Sequence, residues 1–163
     1  MSIQYNADEI LSMAEQVERN GDRFYHLAAE KQSDREAAAT FLRLAGMEQD
    51  HLKVFSDMRA ALSDEERKPV TFDPYDEDSL YLRAAADRTI FDVTADPAKK
   101  LTGTETMGQV LAIGIAAEKD SIVFYTGMKD MVPARLGRDR IEAIIREELS
   151  HFATLSGMVA ETR

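Results

Sequence analysis

The sequence predicts an all-α fold, a bundle of four helices arranged as two hairpins with one long crossover between them. Three observations predict it. Four long stretches space their apolar residues at helical intervals. The connectors between them run short, long, short. The second half of the chain repeats the seam residues of the first at an offset of 100. With 163 residues and 44% hydrophobic composition, the chain suits one domain over residues 1–163 with a real core.

The first helix is expected over about residues 6–31, opened by Asn6 and Glu9 as a capping box. The second is expected over about 33–62, with Ser33 and Glu36 in the same relation. The two are joined almost directly, so they must form an antiparallel hairpin. The third runs over about 106–132, capped by Thr106 and Gln109, and the fourth over about 134–161, starting after Pro133. All four prolines, Pro69, Pro74, Pro97 and Pro133, fall outside or at the edges of these stretches. Between the hairpins lies a crossover of about 63–105, with an acidic run over 73–78 that reads as a solvated loop and a short helix over about 77–88. A connection of that length can cross the bundle, and two hairpins joined by one long crossover make the ferritin-like arrangement.

The charge balance excludes some functions. Thirty acids against 20 bases give a formal charge of −10, a surface that repels phosphate backbones, so nucleic acid is not an expected partner. The absence of cysteine excludes disulfides, iron–sulfur clusters, cysteine-ligated zinc and thiol nucleophiles. The N-terminal residues lack a basic start and an apolar stretch, and no segment is apolar enough to span a membrane. A soluble protein of the cytoplasm is expected.

The repeat carries the chemistry. Glu18 meets Glu118, Tyr25 meets Tyr125, Glu48 meets Glu148 and His51 meets His151. Each hairpin therefore bears Glu-x6-Tyr on its first helix and Glu-x2-His on its second. The seams read Leu11, Ala14, Glu18, Gly21, Tyr25, Ala28; Phe41, Leu44, Glu48, His51, Phe55, Met58, Leu62; Leu111, Gly114, Glu118, Ser121, Tyr125, Met128; and Ile141, Ile144, Glu148, His151, Leu155, Met158. Every helix places a glutamate in the middle of an apolar stripe.

Four unpaired carboxylates in one core would cost many kcal/mol or take up protons. Two divalent cations balance their charge, and two neutral imidazoles complete the ligand set. Residues three apart project from one side of a helix, so each Glu-x2-His pair can reach one metal. A lone Glu-x2-His is usually an exposed pair. Two copies on apolar seams, each matched by a glutamate on the preceding helix, are a different signal. His26 has Thr126 as its counterpart and reads as a solvated rim residue, and the eight methionines read mostly as core filler.

With these motifs in place, the chain resembles the rubrerythrin-like branch of the ferritin-like superfamily over about residues 6–160. The resemblance implies that Glu48 and Glu148 bridge two metals, and that Glu18 with His51 and Glu118 with His151 are terminal ligands. It places Tyr25 and Tyr125 beside the site, hydrogen-bonded to ligand carboxylates of neighbouring helices. The implied cofactor is two iron ions, with manganese or zinc as alternatives. The chain departs from the family in three ways. It lacks the four-cysteine rubredoxin module, so electrons would come from a separate donor. Ser121 stands where rubrerythrins carry an additional glutamate, which argues against efficient peroxidase activity. Glu147 can support a ligand histidine from behind, but its counterpart is Met47, so the two metal positions are expected to be unequal.

The leading functional expectation is an oxidoreductase that reduces dioxygen or peroxide, or oxidises ferrous iron, with a small oxidant as partner. Carboxylates suit iron or manganese. Tyr25 and Tyr125 could serve as proton donors or electron sources, or simply as core tyrosines satisfied by carboxylates. Gly21, Ala45, Gly114 and Ser121 either leave a pocket or allow close helix packing. The alternatives are an iron-handling protein without a dedicated substrate and a structural bundle with a vestigial site. A homodimer is expected, because ferritin-like bundles associate.

Overall fold

The computed structural model describes residues 6–68, 95–129 and 132–161. Four long helices account for most of them: α1 (Ala7–Glu30), α2 (Arg35–Ala60), α3 (Met107–Met128) and α4 (Arg138–Glu161). Helix α1 packs mainly on α2 and α3 mainly on α4, which gives the two expected hairpins. No strand occurs among the described residues. The short crossover helix expected over 77–88 and the acidic run over 73–78 lie outside the described residues.

Local chemistry sets most helix starts. Asn6 Oδ1 accepts from the Glu9 amide while Glu9 Oε2 accepts from the Asn6 amide, both at 2.9 Å, so the first capping box is formed. Thr106 and Gln109 form the same reciprocal pair at the start of α3. The start of α2 differs from expectation. Its cap is Asp34, not Ser33, and Asp34 Oδ1 accepts from the Glu36 amide at 2.9 Å. A carboxylate there satisfies an orphan amide and also places negative charge at the positive end of the helix, which a serine hydroxyl cannot match.

The start of α4 also differs. A 3-10 turn over Ala134–Leu136 follows Pro133, and Gly137 then adopts φ +93°. That left-handed backbone suits glycine and breaks helical continuity, so α4 begins only at Arg138. Helix α3 ends at Met128, short of the expected boundary near 132.

The seams face inward as the periodicity requires. Along α2, Phe41, Leu44, Glu48, His51, Phe55 and Met58 are all buried. The apolar core divides into two clusters. One holds Leu11, Phe55, Met58, Phe124, Tyr125 and Ile141, and the other Phe24, Tyr25, Phe41, Leu44, Leu111 and Leu155. Glu18, Glu48, Glu118 and Glu148 occupy the seam between them. The methionines divide as filler does, with Met58 and Met128 buried and Met13, Met107 and Met158 packed at the margins.

The end of the crossover returns onto the first hairpin. Pro97 and Ala98 are buried, Asp96 caps this turn through the Ala98 amide, and Arg23 of α1 meets Asp96 at 2.7 Å. This return puts residues 95–100 beside α1 and α3 at the height of the acidic layer.

Candidate metal centre

Each helix delivers its part of the centre from mid-seam: Glu18 from α1, Glu48 and His51 from α2, Glu118 from α3, and Glu148 and His151 from α4. None of the six is more than 4% exposed. Their oxygen and nitrogen atoms converge as two overlapping sets. One is Glu18, Glu48, His51 and Glu148, and the other is Glu48, Glu118, Glu148 and His151, each with its ligand atoms within 4.8 Å of one another. Glu48 and Glu148 belong to both.

Both histidines turn Nδ1 into the cluster. His51 Nδ1 lies 2.9 Å from Glu148 Oε1 and 3.4 Å from Glu18 Oε2. His151 Nδ1 lies 3.3 Å from Glu48 Oε1, 3.3 Å from Glu148 Oε2 and 3.6 Å from Glu118 Oε2. The two rings stack with centroids 5.7 Å apart. Despite this crowding, Glu18 Oε2, His51 Nδ1, Glu148 Oε1 and His151 Nδ1 make no hydrogen bond among the described residues. Buried polar atoms are rarely left so. Hard carboxylate oxygens and imidazole nitrogens converging in one buried place form a donor set suited to divalent cations, so the residues fit a pair of metal ions.

The electrostatics agree. Burial, reinforced by the Glu148 charge, pushes Glu118 up to about 8. Burial likewise raises Glu18 and, more strongly, Glu48. Glu148 moves the other way: burial and the Glu48 charge act to raise it, but the close approach of Glu118 and both histidines outweighs them. Burial alone would lower the histidines, yet the surrounding carboxylates lift His51 to about 11 and His151 to about 12. The bare cluster thus compensates its negative charge with protons. Two cations would supply the same compensation.

The tyrosines cross between the hairpins. Tyr25 of α1 donates its hydroxyl to Glu118 Oε1 of α3, and Tyr125 of α3 donates to Glu18 Oε1 of α1. Burial and the neighbouring carboxylates push both phenols well up, so they remain protonated donors. Glu147, half-exposed, lies 3.0 Å from His51 Nε2, outside the cluster. Ser121 offers no ligand to the cluster, since its hydroxyl donates to the Ala117 carbonyl of its own helix at 3.0 Å. His26 is exposed and pairs with Asp22 of its own helix.

The small residues divide between the two expected roles. Gly21 and Ser121 line a cavity of about 60 Å³ that reaches Glu48, Glu118 and Tyr25. Gly114 instead allows close packing, because a Cβ there would lie 3.1 Å from both Phe24 and Leu155, and Ala45 is buried in an apolar cluster. The rim of the cavity is completed by Ala95, Pro97 and Lys100. Sequence reasoning missed these, because no local pattern shows where a long crossover returns.

A family model for rubrerythrin matches residues 9–159. The chain belongs to the rubrerythrin family. A crystal structure described as a ferritin-like diiron-carboxylate protein from Thermotoga maritima superposes with a TM-score of 0.78 and 27% identity, covering 100% of both chains. A search of curated proteins finds no match. In this rubrerythrin-family chain the fold, the family and the glutamate–histidine cluster together support a dinuclear metal site. These 163 residues contain no cysteine. No described helix is long and apolar enough to cross a membrane.

Proposed function

We propose that this chain is a di-iron oxidoreductase that reduces dioxygen or peroxide, or oxidises ferrous iron, at a Glu4His2 centre. The observation that carries this reading is the pair of four-residue ligand sets sharing Glu48 and Glu148. In this reading Glu48 and Glu148 bridge, while Glu18 with His51 and Glu118 with His151 hold the outer positions. Two ferrous ions so held supply the electrons for reducing a small oxidant.

The residues of the chain do the rest. Tyr25 and Tyr125 fix the outer carboxylates by holding one oxygen of each, leaving the other free to ligate. Tyr25 also lines the cavity, together with the Glu118 carboxylate that its hydroxyl holds. The two apolar clusters flank the centre and exclude bulk water. A cavity of about 60 Å³ suits molecules of a few atoms, whereas organic ligands typically need roughly 300 Å³ or more. With no cysteine in the chain, reducing equivalents would come from a separate donor.

The test is anaerobic stopped-flow mixing of the di-ferrous protein with dioxygen or peroxide, with reductant supplied. Repeated reductant consumption over many turnovers is the expected result. A single oxidation followed by arrest would assign the chain to iron handling instead.

A further inference from the structure

The two halves of the centre are not supported alike. His51 Nε2 lies 3.0 Å from a Glu147 carboxylate oxygen, which with a metal on Nδ1 would hold the proton on Nε2 and keep Nδ1 turned toward Glu18 and Glu148. His151 is 1% exposed, and its Nε2 finds no hydrogen-bond partner among the described residues. The reason lies in the repeat. Glu147 precedes Glu48's counterpart on α4 and reaches across to α2; the residue at the corresponding place on α2 is Met47. A thioether is too weak an acceptor to select the Nε2–H tautomer or to hold the ring in place.

A second, independent observation points to the same half. The cavity between α1, α3 and residues 95–100 is lined by Glu118 and the shared Glu48, but not by Glu18; neither ligand histidine lines it. It therefore opens on the set that contains His151.

We propose that the centre is built unequally: the Glu18/His51 position holds its metal tightly, and the Glu118/His151 position is the exchangeable one that accepts an incoming small ligand. This rests on the reading of the cluster as a two-metal site. Supporting groups behind ligand histidines typically change metal affinity by about 10- to 100-fold, which sets the size of the effect.

Equilibrium dialysis of the full-length apoprotein with Zn²⁺, followed in parallel by ¹⁵N-histidine NMR, tests it. Two binding steps are expected, with the His51 resonances responding at the first equivalent and those of His151 at the second. Repulsion between two ions separates the steps even in a symmetric centre, so the variants decide. Met47→Glu should tighten the second step by about 10-fold or more, and Glu147→Met should loosen the first by a similar factor. Met47→Leu should leave both steps unchanged. His151 filling first overturns the proposal, and so do unchanged steps in both Met47→Glu and Glu147→Met when circular dichroism shows either variant folded. Absence of any zinc binding overturns the two-metal reading itself.

Discussion

The Tyr25 hydroxyl of α1 donates to Glu118 of α3, across the gap between the two hairpins. Tyr125 returns the same bond to Glu18. Each tyrosine thus belongs to one hairpin and restrains a carboxylate of the other, and the donors are both less than 2% exposed. Tyr25→Phe leaves a buried Glu118 oxygen without its donor. We expect a loss of about 1–3 kcal/mol in chemical denaturation of the apoprotein and a metal affinity lowered by about 10-fold or more. Tyr125→Phe should do the same through Glu18. Unchanged affinity in both variants would show that the phenols are only core filler.

Gly21 sits where α1 passes closest to Glu48. A Cβ at this position would lie 2.9 Å from Glu48 Oε2 and 3.0 Å from its Cδ. Gly21→Ala must therefore displace the shared carboxylate or push the helix away. Loss of the second bound metal is expected, read by metal analysis after anaerobic loading. Gly46→Ala is the control, because nothing lies within 4 Å of a Cβ there. It should keep both metals and stabilise α2 by about 0.8–1 kcal/mol.

The apoprotein and the loaded protein should respond to pH in opposite senses. Glu118 takes its proton near 8 in the fold, mainly because it is buried, against 4.5 ordinarily. His51 and His151 are also raised, to about 11 and about 12. The folded apoprotein therefore holds more protons than the unfolded chain across this window. The contribution from Glu118 is fully present below 4.5 and is lost as pH rises through about 8. Metal uptake must displace those protons. The rise in Tm on loading should thus grow between about pH 5 and pH 8. A rise that is flat or shrinks with pH would contradict this proton release.

The cap of α2 separates two adjacent residues cleanly. Asp34→Ala removes the side chain that accepts from the Glu36 amide and should cost about 1 kcal/mol in thermal or chemical unfolding. Ser33→Ala should cost a few tenths at most. The reverse order would mean that the helix starts one residue earlier than Arg35.

Much of this molecule was legible because its symmetry is written in the chain. The offset of 100 put Glu18, Glu48, His51, Glu118, Glu148 and His151 on four seams, and seam residues have only one place to meet. Where the sequence misled, the deciding physics was either strictly local or strictly remote. Ser33 and Asp34 are both good caps, and only the charge and reach of the carboxylate favour the second. Gly137 delays α4 through a positive φ that glycine permits but does not announce. The Pro97–Lys100 turn lies on the cavity because a long crossover happens to return there, and no periodicity encodes that contact. The crossed tyrosine bonds were expected only through family resemblance, since spacing alone cannot say which carboxylate a phenol reaches.

The central claim is that Glu48 and Glu148 are shared by two metal positions. Iron content per chain after anaerobic ferrous loading tests it most directly, in the natural sequence and in Glu48→Ala and Glu148→Ala. We predict two irons per chain in the natural sequence and loss of dinuclear binding in each variant, with helical content kept. One iron or none in the natural sequence, or two irons retained in either variant, would contradict it.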